Sequence, residues 1–312
     1  MANFPDKKPK IGETYENFEL IFALCNLPKS KYWKEFLFTA DLKAIMIALG
    51  LCTCKGVYGC PHGECYRNKN GDWVCGRKRR ISEMLILVLR WLFSGGKKST
   101  RKKFKNCQKP PLVPYADPTD TVLSRVPPPG LHLFLSLNHI LKGFLKAWPG
   151  LREWLESHSI IFMDYFGKTL EGPECSRLLK LLDELERDSP KHCAPFITNM
   201  RDFRDVIQAC FKTNNLQSNY KEVIQKFRKS FKVLKDNFGV TETVKIHEIS
   251  VHVAEWCEEN QTSLGSFSEH EVEAIHSTFT KVWDKYRVKD VHSQAFTTNW
   301  YLANMELNYQ AS

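Results

Sequence analysis

Between residues 94 and 130 the sequence reads SGGKKSTRKKFKN, KPPLVPYADPTD and RVPPPG in near succession, a Pro and Gly density that forbids long regular elements. No fold that runs one continuous helix or strand through the middle of this 312-residue chain is compatible with it. The stretch predicts a boundary, and its two sides differ. Beyond it the pattern is helical: LHLFLSLNHILKGFLKAW, residues 131–148, repeats its apolar positions every three or four residues. Further helices are predicted near 174–187, 199–212, 217–237, 243–259, 268–288 and 293–308. Before it, residues 14–28 read as a helix, and FLFTAD at 36–41 as a short buried strand leading straight into a helix to about Leu51. A basic helix from about Ile81 to Phe93 follows. The expected fold is mostly α with a small mixed sheet, and 43% hydrophobic content suffices for a packed core.

Charge is placed as unevenly as the turns. Lys and Arg number 45 against 35 Asp and Glu, and the segment from Arg77 to Lys109 alone carries twelve bases and one acid, Glu83. The rest of the chain is therefore close to neutral. Arg77, Lys78, Arg79, Arg80, Lys97, Lys98, Arg101, Lys102, Lys103 and Lys105, interleaved with Phe93, Phe104 and Gly95-Gly96, are the residues expected to meet DNA phosphates. Such binding is directed to the backbone, with no base-reading element in view; the bland alternative is a solvated charged face. GRKRR followed by KKSTRKKFK also has the form of a bipartite nuclear-localisation signal. The N-terminus has no apolar signal-peptide core, and residues 81–93 are too short and too charged to span a bilayer. A nuclear or cytoplasmic protein is expected, neither secreted nor membrane-bound.

Eleven cysteines are too sparse for a disulfide scaffold in a chain this long, yet five fall between Cys52 and Cys75. The run LCTCKGVYGCPHGECYRNKNGDWVC offers Cys52, Cys54, Cys60, His62, Cys65 and Cys75, and soft thiolates at short spacing suit tetrahedral zinc. The spacing is irregular. Four residues separate Cys60 from Cys65 and no second Cys-x-x-Cys follows, so free buried thiols stand as the alternative to a structural zinc site.

Two acidic places need an explanation. Asp41 interrupts an apolar stretch, which is costly unless the carboxylate is capped, paired or bound to a cation; Asp is also a favoured N-cap for a helix starting at Leu42. In FSEHEVEAIHSTFTKVWDKY, residues 267–286, Ser268 and Glu271 form a capping-box pattern, and Val272, Ile275, Phe279, Val282 and Tyr286 share a core stripe. Glu269 and His276 border that stripe and Glu273 lies further round. Helix-dipole compensation by Glu269 and solvation of Glu273 account for both without any function.

With these residues in view, the chain resembles transposase-derived proteins of cut-and-paste DNA transposons, the group with a ribonuclease-H-like core. The resemblance is carried by Asp41 and Lys43 in AD-LK, the knuckle from Cys60 to Cys65, Trp73 and Gly76, FKNCQKPPL, PPPGLHLFLSLNHILK, YFGKTLEGPECSRLLK, KIHEISVH and SEHEVEAIH, in that order from about residue 14 onward. It implies a partial ribonuclease-H-like core split by an all-helical insertion: residues 1–93 as the first part of the core with its Cys-rich knuckle, 94–130 as a basic linker, 131–260 as the insertion and 261–312 as the last core helices. It implies that carboxylates hold paired Mg or Mn ions for phosphodiester chemistry, with Asp41 as the second aspartate and Glu269, or in reserve Glu273, as the glutamate. These acids are 228 residues apart, which the insertion explains. The first catalytic aspartate belongs on a strand upstream of the matching region, and the chain begins too late to contain it, so a remnant that binds nucleic acid without cleaving it alone is expected. Assembly with further copies is compatible with the resemblance. His132, His139, His247 and His252 stand out only through it; a lone histidine on an apolar face is usually a hydrogen-bonded core residue. The alternative from another class is a helical protein-interaction module.

Overall fold

The helical periodicity is realised in the computed structural model, which describes residues 13–24, 37–52, 56–162, 169–211 and 216–267, together with 294–295, 298–299, 302–303 and 305 of a separate unit starting at Ser268. In the first unit, α1 (Tyr15–Leu24) and α2 (Leu42–Ala48) precede a hairpin of β1 (Tyr66–Arg67) and β2 (Trp73–Val74); α3 (Ile81–Phe93), a 3-10 turn (Lys98–Phe104) and α4 (Val122–Arg125) follow. Then come α5 (Gly130–Phe134), α6 (Leu137–Ala147), α7 (Leu151–Ser157), α8 (Gly172–Lys180), α9 (Leu182–Asp188), α10 (Ala194–Cys210), α11 (Tyr220–Phe238), α12 (Val244–Ser250) and α13 (His252–Asn260). The chain is mostly helical with one small antiparallel sheet. Among the described residues no helix is long and apolar enough to cross a membrane.

Three expected helices are each broken in two, at Leu135-Ser136, Leu181 and Val251. The last break matters most. Val251 adopts φ −127°, ψ −63°, outside helical geometry, so α13 leaves α12 in a new direction.

The sheet differs from expectation. Residues 37–41 form no strand: the Phe38 N–H donates to Arg125 O at 2.8 Å, and no ladder continues from there. Among the described residues the paired strands are β1 and β2, with Tyr66 opposite Val74 and Arg67 opposite Trp73, so the sheet is antiparallel rather than mixed. Its turn is fixed locally. The Asn68 Oδ1 accepts from the N–H groups of Asn70 and Asp72 at 2.9 Å, and Gly71 takes φ +81°, where a side chain would be strained.

Residues 94–130 do not behave as a linker either. Cys107, Val113, Val122 and Val126 bury themselves in a small core with Ile45 of α2, Leu49 just after it, and Ile81, Met84 and Val88 of α3. Gly50 locks this packing. Its carbonyl accepts from the N–H groups of Gln108 and Lys109, and at φ +62° a Cβ would come within 1.9 Å of Lys109 O. The larger core is built by α5 to α13 around Phe144 and Phe196, whose rings stack 4.9 Å apart, with α10 packed along α11.

The hairpin belongs to the helical body as well as to the small core. The Arg67 Nη2 and Trp73 Nε1 both donate to Glu242 O, Asp72 pairs with Lys235 of α11, and Lys78 pairs with Glu259 of α13. These links bring the cysteine knuckle to the break between α12 and α13.

Candidate metal centre

Four buried side chains converge at that break: Cys60 and Cys65 from the knuckle, His247 from α12 and His252 from α13, with one ligand atom of each within 4.8 Å of all the others. The His252 Nε2 lies 3.1 Å from Cys60 Sγ and 3.9 Å from Cys65 Sγ. Zinc bound at about 2.3 Å to sulfur and about 2.0 Å to nitrogen needs its tetrahedral ligands roughly 3.3–3.8 Å apart. No pair therefore has to close by more than about 1.5 Å. It fits a metal by chemistry as well as by distance. The Nε2 of His247 is buried with no hydrogen-bond partner among the described residues, and a buried ring nitrogen left orphaned is costly unless it serves as a ligand.

The local sequence explains how each ligand is aimed. Gly63 turns the knuckle so that its N–H donates to Cys60 Sγ at 3.2 Å, and a Cβ at Gly63 would stand 2.6 Å from Cys65 Sγ. The five-residue step from His247 to His252 would place the two rings about 140° apart on an unbroken helix. The break at Val251 turns His252 back toward the same point, with the two rings edge to face at 5.2 Å. Trp73 stacks on His247 at 4.4 Å and fixes its plane. The His252 Nδ1 contacts Glu255 Oε2 at 2.8 Å, which leaves Nε2 facing the sulfurs, the arrangement that orients a ligating imidazole.

The electrostatics prepare the cysteine pair for a cation. A hydrogen bond from Cys60 pulls the Cys65 thiol far below its ordinary value against the effect of burial, and His247, His252 and the Gly76 N–H add to that pull. Burial, with Cys65 and Glu248 beside it, pushes the Cys60 thiol up. Burial would lower His252, but Glu248, Cys65 and Glu255 raise it to about 10. Metal binding therefore displaces protons from Cys60 and His252. An ion held by all four side chains would have no open coordination position, the arrangement typical of structural zinc sites.

Of the remaining predicted ligands, His62, Cys75 and Cys52 are not part of the group. Both ring nitrogens of His62 are taken, Nδ1 by Glu248 Oε2 at 2.6 Å and Nε2 by Val126 O at 2.9 Å. Glu248 is fully buried; burial would push its carboxyl up, but His62 and His252 hold it well below the ordinary carboxylate range. Cys75 is exposed, and the Cys52 N–H bonds to Asn106 O beside the small core. Cys54 lies outside the described residues.

Asp41 is the N-cap of α2: with φ −62° and ψ 162°, its Oδ1 accepts from the Ala44 N–H at 2.6 Å. The carboxylate in the apolar stretch is thus accounted for by capping. Glu269 and Glu273 lie outside the described residues. Asp41→Ala is expected to lower stability by about 1 kcal/mol in urea unfolding, whereas Asp41→Asn, which still caps, costs only a few tenths. Equal losses for the two variants would contradict capping as its role.

The basic segment divides into two sets. Arg79 is buried and donates to the carbonyls of Cys60 and Tyr58, so it holds the knuckle rather than meeting solvent. Arg77 and Arg80 pair with Glu83, Arg77 and Lys105 with Glu64, and Lys78 with Glu259. Lys97, Lys98, Lys102 and Lys103 are exposed around the 3-10 turn, with Arg101 half-buried beside them, and none of the five forms an ion pair among the described residues.

The fold and centre define a helical protein with a buried two-cysteine, two-histidine group able to hold a metal ion such as zinc. No protein-family model matches the chain, and no curated protein does.

Proposed function

We propose that this chain is a transposase-derived protein that binds DNA through the phosphate backbone, on a fold held in shape by structural zinc. The observation that carries the binding is the cluster Lys97, Lys98, Arg101, Lys102 and Lys103, which stands around one turn with no carboxylate partner among the described residues. Unpaired cations on a short rigid turn release counterions from a duplex without first breaking ion pairs of their own. The transposase origin and the ribonuclease-H-like core rest on the order of the sequence motifs, with Asp41 and the SEHEVEAIH motif that contains Glu269 and Glu273 as their anchors.

The test is a salt titration of duplex affinity by fluorescence anisotropy. Each phosphate contacted contributes about −0.9 to the slope of log K against log salt. Replacing Lys98, Lys102 and Lys103 by Gln is expected to reduce the magnitude of that slope by about 3 with thermal stability unchanged. Affinity that does not change between about 50 and 200 mM salt would defeat the proposal.

One observation favours a second function, a protein-interaction module. Ile86, Leu89 and Phe93 recur at three- and four-residue steps on α3 with Leu92 beside Phe93, and all four stay exposed, Phe93 to 90%. An apolar arc of this kind marks a partner surface. Absence of any shift with unrelated DNA duplexes in a gel assay would leave that function standing in place of the first.

A further inference from the structure

A cavity of about 520 Å³ opens on the outer side of the metal centre, walled by the hairpin, α11 and α12. Its α11 wall is basic. Arg228, Lys229, Lys232 and Lys235 follow the three- and four-residue steps that put side chains on one helix face, and all four line the cavity. Like charges at that spacing repel unless something compensates them. Lys235 is answered by Asp72 across the cavity and Lys232 by Asp236 on its own helix. Arg228 and Lys229 form no salt bridge among the described residues.

Opposite this wall stand Glu242, whose carboxyl is pushed up by burial, and Ser250. With Asp72 and Asp236, four cations thus stand against three carboxylates, and that of Glu242 is biased toward its neutral form. The aromatic wall does not offer a stacking face. Trp73 is covered by His247 at 4.4 Å on one side, and the Arg67 guanidinium lies 4.9 Å from its ring centre. An occupant is therefore recognised by negative charge and hydrogen-bond acceptors rather than by a flat apolar ring.

We propose that this cavity is a phosphate-binding site, in which Arg228 and Lys229 contact the oxygens of a phosphate group and Lys232 and Lys235 supply the surrounding positive field. The phosphate is either a free anion or a phosphodiester of a nucleic-acid strand. The site stands on α11, and it does not depend on DNA binding by the 97–103 turn.

Cys75 makes the test direct, because its exposed thiol lines the same cavity. Alkylation of Cys75 by iodoacetamide is followed by mass spectrometry on the full zinc-loaded chain at constant ionic strength, in chloride alone, with inorganic phosphate, and with a short DNA duplex. An occupant at about four times its dissociation constant is expected to slow the reaction about fivefold. In the Arg228→Ala, Lys229→Ala double variant, with an unchanged melting temperature, the protection disappears. Protection by phosphate alone identifies a free-anion site, and protection by the duplex alone identifies a strand contact; both support the proposal. No protection by either probe overturns it, as does protection that persists in the double variant.

Discussion

Protein stripped of zinc by a strong chelator is expected to melt about 10 °C below the zinc-loaded form. Zinc present at about a thousand times its dissociation constant stabilises the native state by roughly 4 kcal/mol, and each kcal/mol moves the midpoint by about 2–4 °C in a chain of this order of size. The effect comes from where the ligands stand. Cys60 and Cys65 belong to the knuckle while His247 and His252 belong to α12 and α13, so one ion clamps elements about 190 residues apart in sequence. Cys65→Ser is expected to abolish the stabilisation by added zinc, and Cys75→Ser to leave it intact. Cobalt substituted for zinc reports the same coordination by its visible absorption. Protein purified without chelator that carries less than about a tenth of an equivalent of zinc would refute the centre.

Glu248→Ala is expected to cost about 3–5 kcal/mol, the range found when one partner of a fully buried ionic pair is removed. Glu248 and His62 are both completely buried, 2.6 Å apart, and Glu248 also receives Cys60 Sγ at 3.3 Å. Truncation leaves the His62 Nδ1 without this acceptor and opens a void beside the ligands. His62→Ala alone should be comparably damaging, and the double variant less than the sum, with a coupling of about 2 kcal/mol in a double-mutant cycle. A loss under about 1 kcal/mol for Glu248→Ala, measured by urea unfolding of the zinc-loaded protein, would mean that the pair is not the buried support described here.

Much of the architecture was legible one segment at a time. The helix over Ile81–Phe93 was expected at those bounds, the helix after Asp41 begins at Leu42, and the knuckle lies within the cysteine-rich run. Capping, turn formation and helical periodicity depend on interactions within about four residues, and those are written in order along the chain. FLFTAD misled because a strand also needs a neighbour, and no local pattern supplies one. The Pro-rich stretch from 94 to 130 misled because a run that cannot form long helices can still bury Cys107, Val113, Val122 and Val126.

The metal centre was half legible. Cys60 and Cys65 were candidates from spacing, and the matching four-residue gap between His247 and His252 was the signal available for the other two. His62 looked like a ligand because it stands between the cysteines in sequence, yet its nitrogens are taken by Glu248 and Val126. Arg79 looked like a phosphate contact because it stands among other cations, yet it is buried on carbonyl oxygens. The chain by itself determined which segments coil, where they start and which side chains have the chemistry to bind metal. Only tertiary packing decided which of them share one dry site, because desolvation and ligand geometry act on distance in space, and the break at Val251 sets that distance for His252.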